Sequence, residues 1–169
     1  MTGYVFHSPP TKRLPLRTWI EPIVFVPAVP LFVVPDDCPF EVEEELFRAF
    51  FLLWSDESAC ANSIRCLIET ILTDVGIKRY NKRPGKSMLR LKLYDRIGIL
   101  EQKKPEVAKH MTAIRFIGNE GSHGDVSNLD RELLFHAFQL VELILLELYS
   151  TEIAYTLAVR DQIIKSKRV

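Results

Sequence analysis

Eight of the ten prolines stand before residue 40. Proline removes a backbone donor and clashes with the preceding turn, so "SPPTKRLPLRTWIEPIVFVPAVPLFVVPDDCP" sustains no helix of useful length. Within it, "IVFV" and "LFVV" read as extended pieces laid over a domain surface. Trp19, Phe25 and Phe32 are the apolar anchors of such an arm, which the pattern assigns to residues 1–39. An extended arm is the preferred reading, ahead of a two-stranded ribbon.

From residue 40 the texture becomes helical. "PFEVEEELFRAFFLLW" has acidic residues in its first turn, at the positive end of the helix dipole. Ser55 or Asp56 can cap a second helix, from about Glu57 to Val75, with Ala61, Ile64, Ile68, Ile71 and Val75 on one stripe. Gly76 stops it. Ser87 caps an expected third helix with Leu89, Leu93, Ile97 and Leu100 on one side. Pro105 opens a fourth, at the helix position where proline is tolerated. A long, nearly all-apolar fifth helix reaches about Tyr149, and such a helix belongs at the centre of a bundle or between two subunits. The chain therefore divides into an arm over 1–39, an all-α domain over 40–150 and a helical tail over 151–169.

Charge and cysteine usage narrow the function. Lys plus Arg and Asp plus Glu both number 22, which argues against a globally basic nucleic-acid binder and leaves room for a local patch. The patch is "IKRYNKRPGK", where Lys78, Arg79, Lys82, Arg83 and Lys86 surround a Pro-Gly turn and could guide a phosphate backbone. The three cysteines form no CxxC pair, and Cys60 and Cys66 read as buried helix residues. No ligand-spaced histidine or carboxylate pair suggests a metal, and no cofactor motif is present. Prolines interrupt every early apolar run, and polar residues interrupt the run from Leu133 to Leu148. Neither reads as a signal peptide or a membrane span, so the expected home is the reducing cytoplasm.

The segment "AIRFIGNEGSHGDVSN" sets the main functional question. On a helical wheel Val107, Met111, Ile114 and Gly118 form a core stripe, while Arg115, Asn119 and His123 lie on the adjacent shoulder. On the second helix, Asn62, Arg65 and Glu69 occupy the matching shoulder. If the two helices pack, these six side chains share a polar pocket, and Gly118 lets another backbone approach closely. Arg65 and Glu69 are then expected to touch the segment from Arg115 to His123, so that removing Glu69 would strand a buried charge. The competing reading is structural: an ordinary helix pair and a histidine that caps a neighbour.

"FFLLWSDESACANSIRCLIETIL" followed by "IRFIGNEGSH" resembles the bacterial family called domain of unknown function 4145, over about residues 30–150. That family is placed with the HEPN superfamily, whose members are antiparallel helical bundles that dimerise. Its members occur alone or beside restriction and other defence-related domains. The resemblance thus implies an all-α, HEPN-like antiparallel bundle carrying the proline-rich arm. Active HEPN proteins are metal-independent ribonucleases with an arginine and a histidine four to six residues apart. These roles would fall on Arg115 and His123, with Asn119 as the polar neighbour, but seven residues intervene here. Three functions follow in order: a non-catalytic interaction or nucleotide/RNA-binding module of a bacterial defence or stress system, a metal-independent endoribonuclease, and a purely structural dimerisation domain. Expected partners are a second copy of the chain, RNA or a nucleotide, and a defence-system protein.

Overall fold

A computed structural model describes residues 2–8, 17–81, 88–122 and 130–166, with side chains placed over 25–81, 88–118 and 130–166. The arm begins as an antiparallel ribbon of β1 (Thr2–Ser8) and β2 (Arg17–Val24). This corrects the preference for a wholly extended arm. Pro22 is tolerated because it pairs with Gly3 beside an irregularity in the register, and in a two-stranded ribbon both strands are edges. Residues after the ribbon anchor to the helical body. Phe25 meets the Trp54 ring edge-on at 5.2 Å, and Phe32 meets Phe50 at 5.4 Å. The Trp19 side chain lies outside the described residues.

Helix α1 (Phe40–Leu52) starts after Pro39 with Glu41 and Glu43 in its first turn. Asp56 caps α2 (Glu57–Asp74), its carboxylate accepting from the Ala59 N–H at 2.8 Å. Gly76 ends that helix with φ +84°, a conformation that L side chains rarely adopt. A two-residue ribbon, β3 (Tyr80–Asn81) with β4 (Leu89–Arg90), leads into α3 (Leu93–Glu101). Pro105 opens α4 (Pro105–Ser122), Asp130 caps α5 (Arg131–Tyr149), and α6 (Thr151–Ser166) follows. The fold is all-α, with two small ribbons among the described residues.

The core lies between α1, α2, α4 and α5. Helix α2 is central, because it buries Cys60, Ala61 and Ser63 as well as the stripe Ile64, Leu67, Ile68, Ile71 and Leu72. Each fully buried Leu or Ile contributes roughly 1.5–3 kcal/mol of transfer free energy. Helix α5 is not the central helix. It buries Leu134, Ala137, Phe138, Val141, Ile144 and Leu145 against its neighbours and leaves Phe135 and Leu143 exposed on the other side. Helix α6 buries no residue. Among the described residues no single helix is long and apolar enough to cross a membrane.

Two further expectations need correction. Leu89 belongs to a strand, and α3 starts four residues later; Ser87 lies outside the described residues. Cys66 is exposed, because it points away from the α2 stripe. Cys60 is buried and donates its thiol to the Ala49 carbonyl at 3.4 Å, and burial pushes that thiol up to about 12. Burial likewise holds Cys38 at about 11, so both remain thiols at neutral pH.

Candidate functional site

The shoulders of α2 and α4 meet. Gly118 makes the approach close: a β-carbon added there would stand 3.4 Å from Arg65 Cβ and 3.5 Å from the Ala61 carbonyl oxygen. With no side chain at 118, the stem of Arg65 lies against α4, and Arg65 opens into the same cavity as Arg115. That cavity has a volume of about 380 Å³ and is lined by Arg65, Glu69, Arg90, Leu91, Lys92, Leu93, Tyr94 and Arg115. Four cations therefore face one carboxylate and one aromatic ring.

Each wall has a local cause. Arg65 and Glu69 are one turn apart on α2, so they project side by side. The ribbon β3–β4 holds Arg90 beside α2, with Tyr80 opposite Arg90 and the Leu91 N–H donating to the Arg79 carbonyl at 2.9 Å. Arg90 and Glu69 form a loose ion pair at 3.7 Å. Lys92 and Tyr94 follow at the start of α3, where the Lys92 N–H donates to the Asp95 carboxylate. The Arg115 guanidinium carbon lies 5.2 Å from the Tyr94 ring centre and 4.5 Å from that of Phe116. Such cation–π contacts contribute about 0.5–1 kcal/mol at exposed sites. Arg115 Nε is buried and has no hydrogen-bond partner among the described residues.

Behind the cavity lies a fully buried arginine. Arg96, on α3, donates to the Glu69 carbonyl at 3.2 Å, the Thr73 hydroxyl at 2.8 Å and the Ile77 carbonyl at 2.8 Å. These acceptors lie towards and beyond the C-terminal end of α2, the negative end of its dipole. Burial lowers the Arg96 pKa, and Glu69 is the charge that opposes this shift. Arg96 ties the strand-to-α3 segment, which carries Arg90, Lys92 and Tyr94, to α2.

The structure brings together Arg65, Glu69 and Arg115 from the sequence reading. Asn62 is exposed and does not line the cavity, and neither does exposed Lys78. Arg79 donates to Thr73 at 3.1 Å and lines a separate cavity with Glu41, Glu44, Glu45 and Asp74. The side chain of Asn119, and residues Lys82, Arg83, Lys86 and His123, lie outside the described residues. Glu69 is not in a buried ion pair. Its partner is the exposed Arg90, so the expected stranding of a buried charge does not apply, and removing Glu69 costs less than about 1 kcal/mol.

The sequence reading passed over Arg90, Lys92, Tyr94 and Arg96. For the first two a signal exists in "LRLKL", residues 89–93, whose strict alternation marks extended backbone and puts both cations on one side. The "WSD" segment is scaffold. Trp54 meets Phe25 and Phe135, Arg131 lies over it at 5.3 Å, and Asp56 is the cap. Among the described residues no group of three His, Cys, Asp or Glu side chains could hold a metal ion.

The family model described as Domain of unknown function (DUF4145) matches residues 47–167, which is most of the chain. No curated protein and no solved structure matches it.

Proposed function

The chain belongs to the family Domain of unknown function (DUF4145), and on that footing we propose that it is a HEPN-like, non-catalytic module that binds RNA or a nucleotide in a bacterial defence or stress system. One observation carries this reading: Arg65, Arg90, Lys92 and Arg115 converge on a single cavity with only Glu69 opposing them. Four donors around one acceptor suit a ligand rich in acceptors, and phosphate is the commonest such group. Tyr94 adds a flat surface on which a base stacks, the usual way of holding unpaired nucleotides. The basic residues from Lys78 to Lys86 would guide the flanking backbone.

Fluorescence anisotropy with single-stranded RNA tests the reading. Each phosphate neutralised contributes about −0.7 to the slope of log affinity against log salt. Arg115→Ala is expected to weaken binding by about tenfold and to flatten that slope by about 0.7. No binding at low salt, on the order of 50 mM, would refute RNA binding. The same mixture, held in EDTA, is expected to stay intact because seven residues separate Arg115 from His123. Fragments ending in 2′,3′-cyclic phosphate that vanish in His123→Ala would establish the endoribonuclease instead.

A homodimer is part of the proposal. Phe135 and Leu143 are exposed on α5, and Tyr155, Ile163 and Ile164 are exposed on α6. An isolated helix of this length is marginal in water, so α6 gains from a cover. Sedimentation at micromolar concentration is expected to show a species of twice 19.5 kDa. A 19.5 kDa species alone would rule the homodimer out.

A further inference from the structure

We infer that Glu69 is a specificity-determining residue whose carboxylate accepts the ribose 2′-hydroxyl of the bound nucleotide, so that the cavity selects RNA over DNA. The inference rests on the RNA-binding reading above. A carboxylate among four cations repels a phosphate, so Glu69 does not itself serve phosphate binding. The charged groups other than Glu69 that line the cavity are cations and only donate. Glu69 supplies the charged acceptor, and a nucleotide has donors only on its sugar and its base.

The carboxylate is well placed for this. The main chain of Glu69 is fixed twice, because its carbonyl accepts from the Thr73 hydroxyl at 2.8 Å and from Arg96 at 3.2 Å. Its side chain is 24% exposed, so it is sheltered yet open to the cavity. Among the described residues neither carboxylate oxygen accepts a hydrogen bond, and the contact to Arg90 at 3.7 Å is too long to be one. Glu69 lines the cavity, so its carboxylate is the acceptor offered to a ligand there. Arg65 stands one turn away on α2 and lines the same cavity, so the two side chains project side by side. A phosphate on Arg65 and Arg115 then puts the sugar beside Glu69 and the base towards Tyr94.

Oligouridylate and oligodeoxyuridylate, made with the same uracil base, differ only at the 2′ position and isolate that contact. The full chain is expected to bind the ribo form at least about tenfold more tightly, the size of one charge-assisted hydrogen bond. In Glu69→Ala the ratio should fall to within about twofold, with deoxy binding unchanged or tighter because a repulsive charge has gone. Glu69→Gln, which keeps an accepting oxygen, should retain a preference and bind both forms more tightly. Both ligands are measured on the same protein, so a loss of folded material cancels from the ratio. An unchanged ratio in Glu69→Ala, or no preference in the wild type, overturns the inference while leaving RNA binding in place. Binding of neither oligonucleotide overturns both.

Discussion

Arg96→Met is expected to unfold at a lower urea concentration, with an unchanged slope, and to be about 3 kcal/mol less stable than the wild type. Three hydrogen bonds from the guanidinium are lost, to the Glu69 carbonyl, the Thr73 hydroxyl and the Ile77 carbonyl. A hydrogen bond to a charged group contributes roughly 1.5–3 kcal/mol. Against this, methionine removes the cost of burying a charge whose pKa burial already lowers. The acceptors decide the balance. The Ile77 carbonyl belongs to a buried residue just after the turn that ends α2, and a long apolar side chain cannot satisfy it. Arg96→Lys should recover only part of the loss, because one ammonium cannot reach three acceptors arranged for a planar fork. Stability within about 0.5 kcal/mol of wild type, the range of a neutral surface change, would mean that packing alone joins α3 to α2. RNA affinity should fall in parallel, since Arg90, Lys92 and Tyr94 hang on that joint.

What could be read in the sequence is what short-range chemistry decides. Asp56 as a cap, Gly76 as a stop, Pro105 as a start and the stripe Ala61, Ile64, Ile68, Ile71 each depend on neighbours within a turn or two, and all are present. The meeting of Arg65, Glu69 and Arg115 was legible for the same reason: each shoulder follows from its own stripe, and two stripes facing one core bring their shoulders together. The β4–α3 segment was harder. "LRLKL" satisfies the spacing of a helix start and also the alternation of a strand, and the choice is made by a tertiary bond from Leu91 to Arg79. Arg96 was visible in principle, since it occupies the apolar stripe of Leu93, Ile97 and Leu100. A charge on a stripe usually reads as an interruption. Here it is a core residue, because α2 ends opposite it and offers carbonyls. Of the two places the sequence allowed for α5, the centre of the bundle belongs to α2; composition does not show which apolar residues a neighbour covers, and Leu143 stays exposed in the single chain.

Gly118 separates a structural glycine from a dispensable one by the size of what replaces it. Gly118→Ala should leave stability unchanged or raise it by up to about 1 kcal/mol, the helix propensity recovered at this position. Its β-carbon would meet Arg65 Cβ at 3.4 Å and the Ala61 carbonyl at 3.5 Å, which is close to ordinary van der Waals contact. Gly118→Leu has no such room. Its γ-carbon branches must enter the space held by the Arg65 stem and the α2 backbone, and overpacking of this kind costs about 1–3 kcal/mol. The two helices cannot simply slide, because Ile64, Ile68, Met111 and Ile114 lock them in one core. The leucine variant is therefore expected to lose about 3 kcal/mol, at the upper end of that range. It should also bind RNA at least about tenfold more weakly, because Arg65 is the side chain that must yield and it lines the cavity. Urea unfolding and RNA anisotropy on both variants measure the two effects. If leucine is as well tolerated as alanine in both, the close approach at Gly118 does not shape the site, and the cations converge for some other reason.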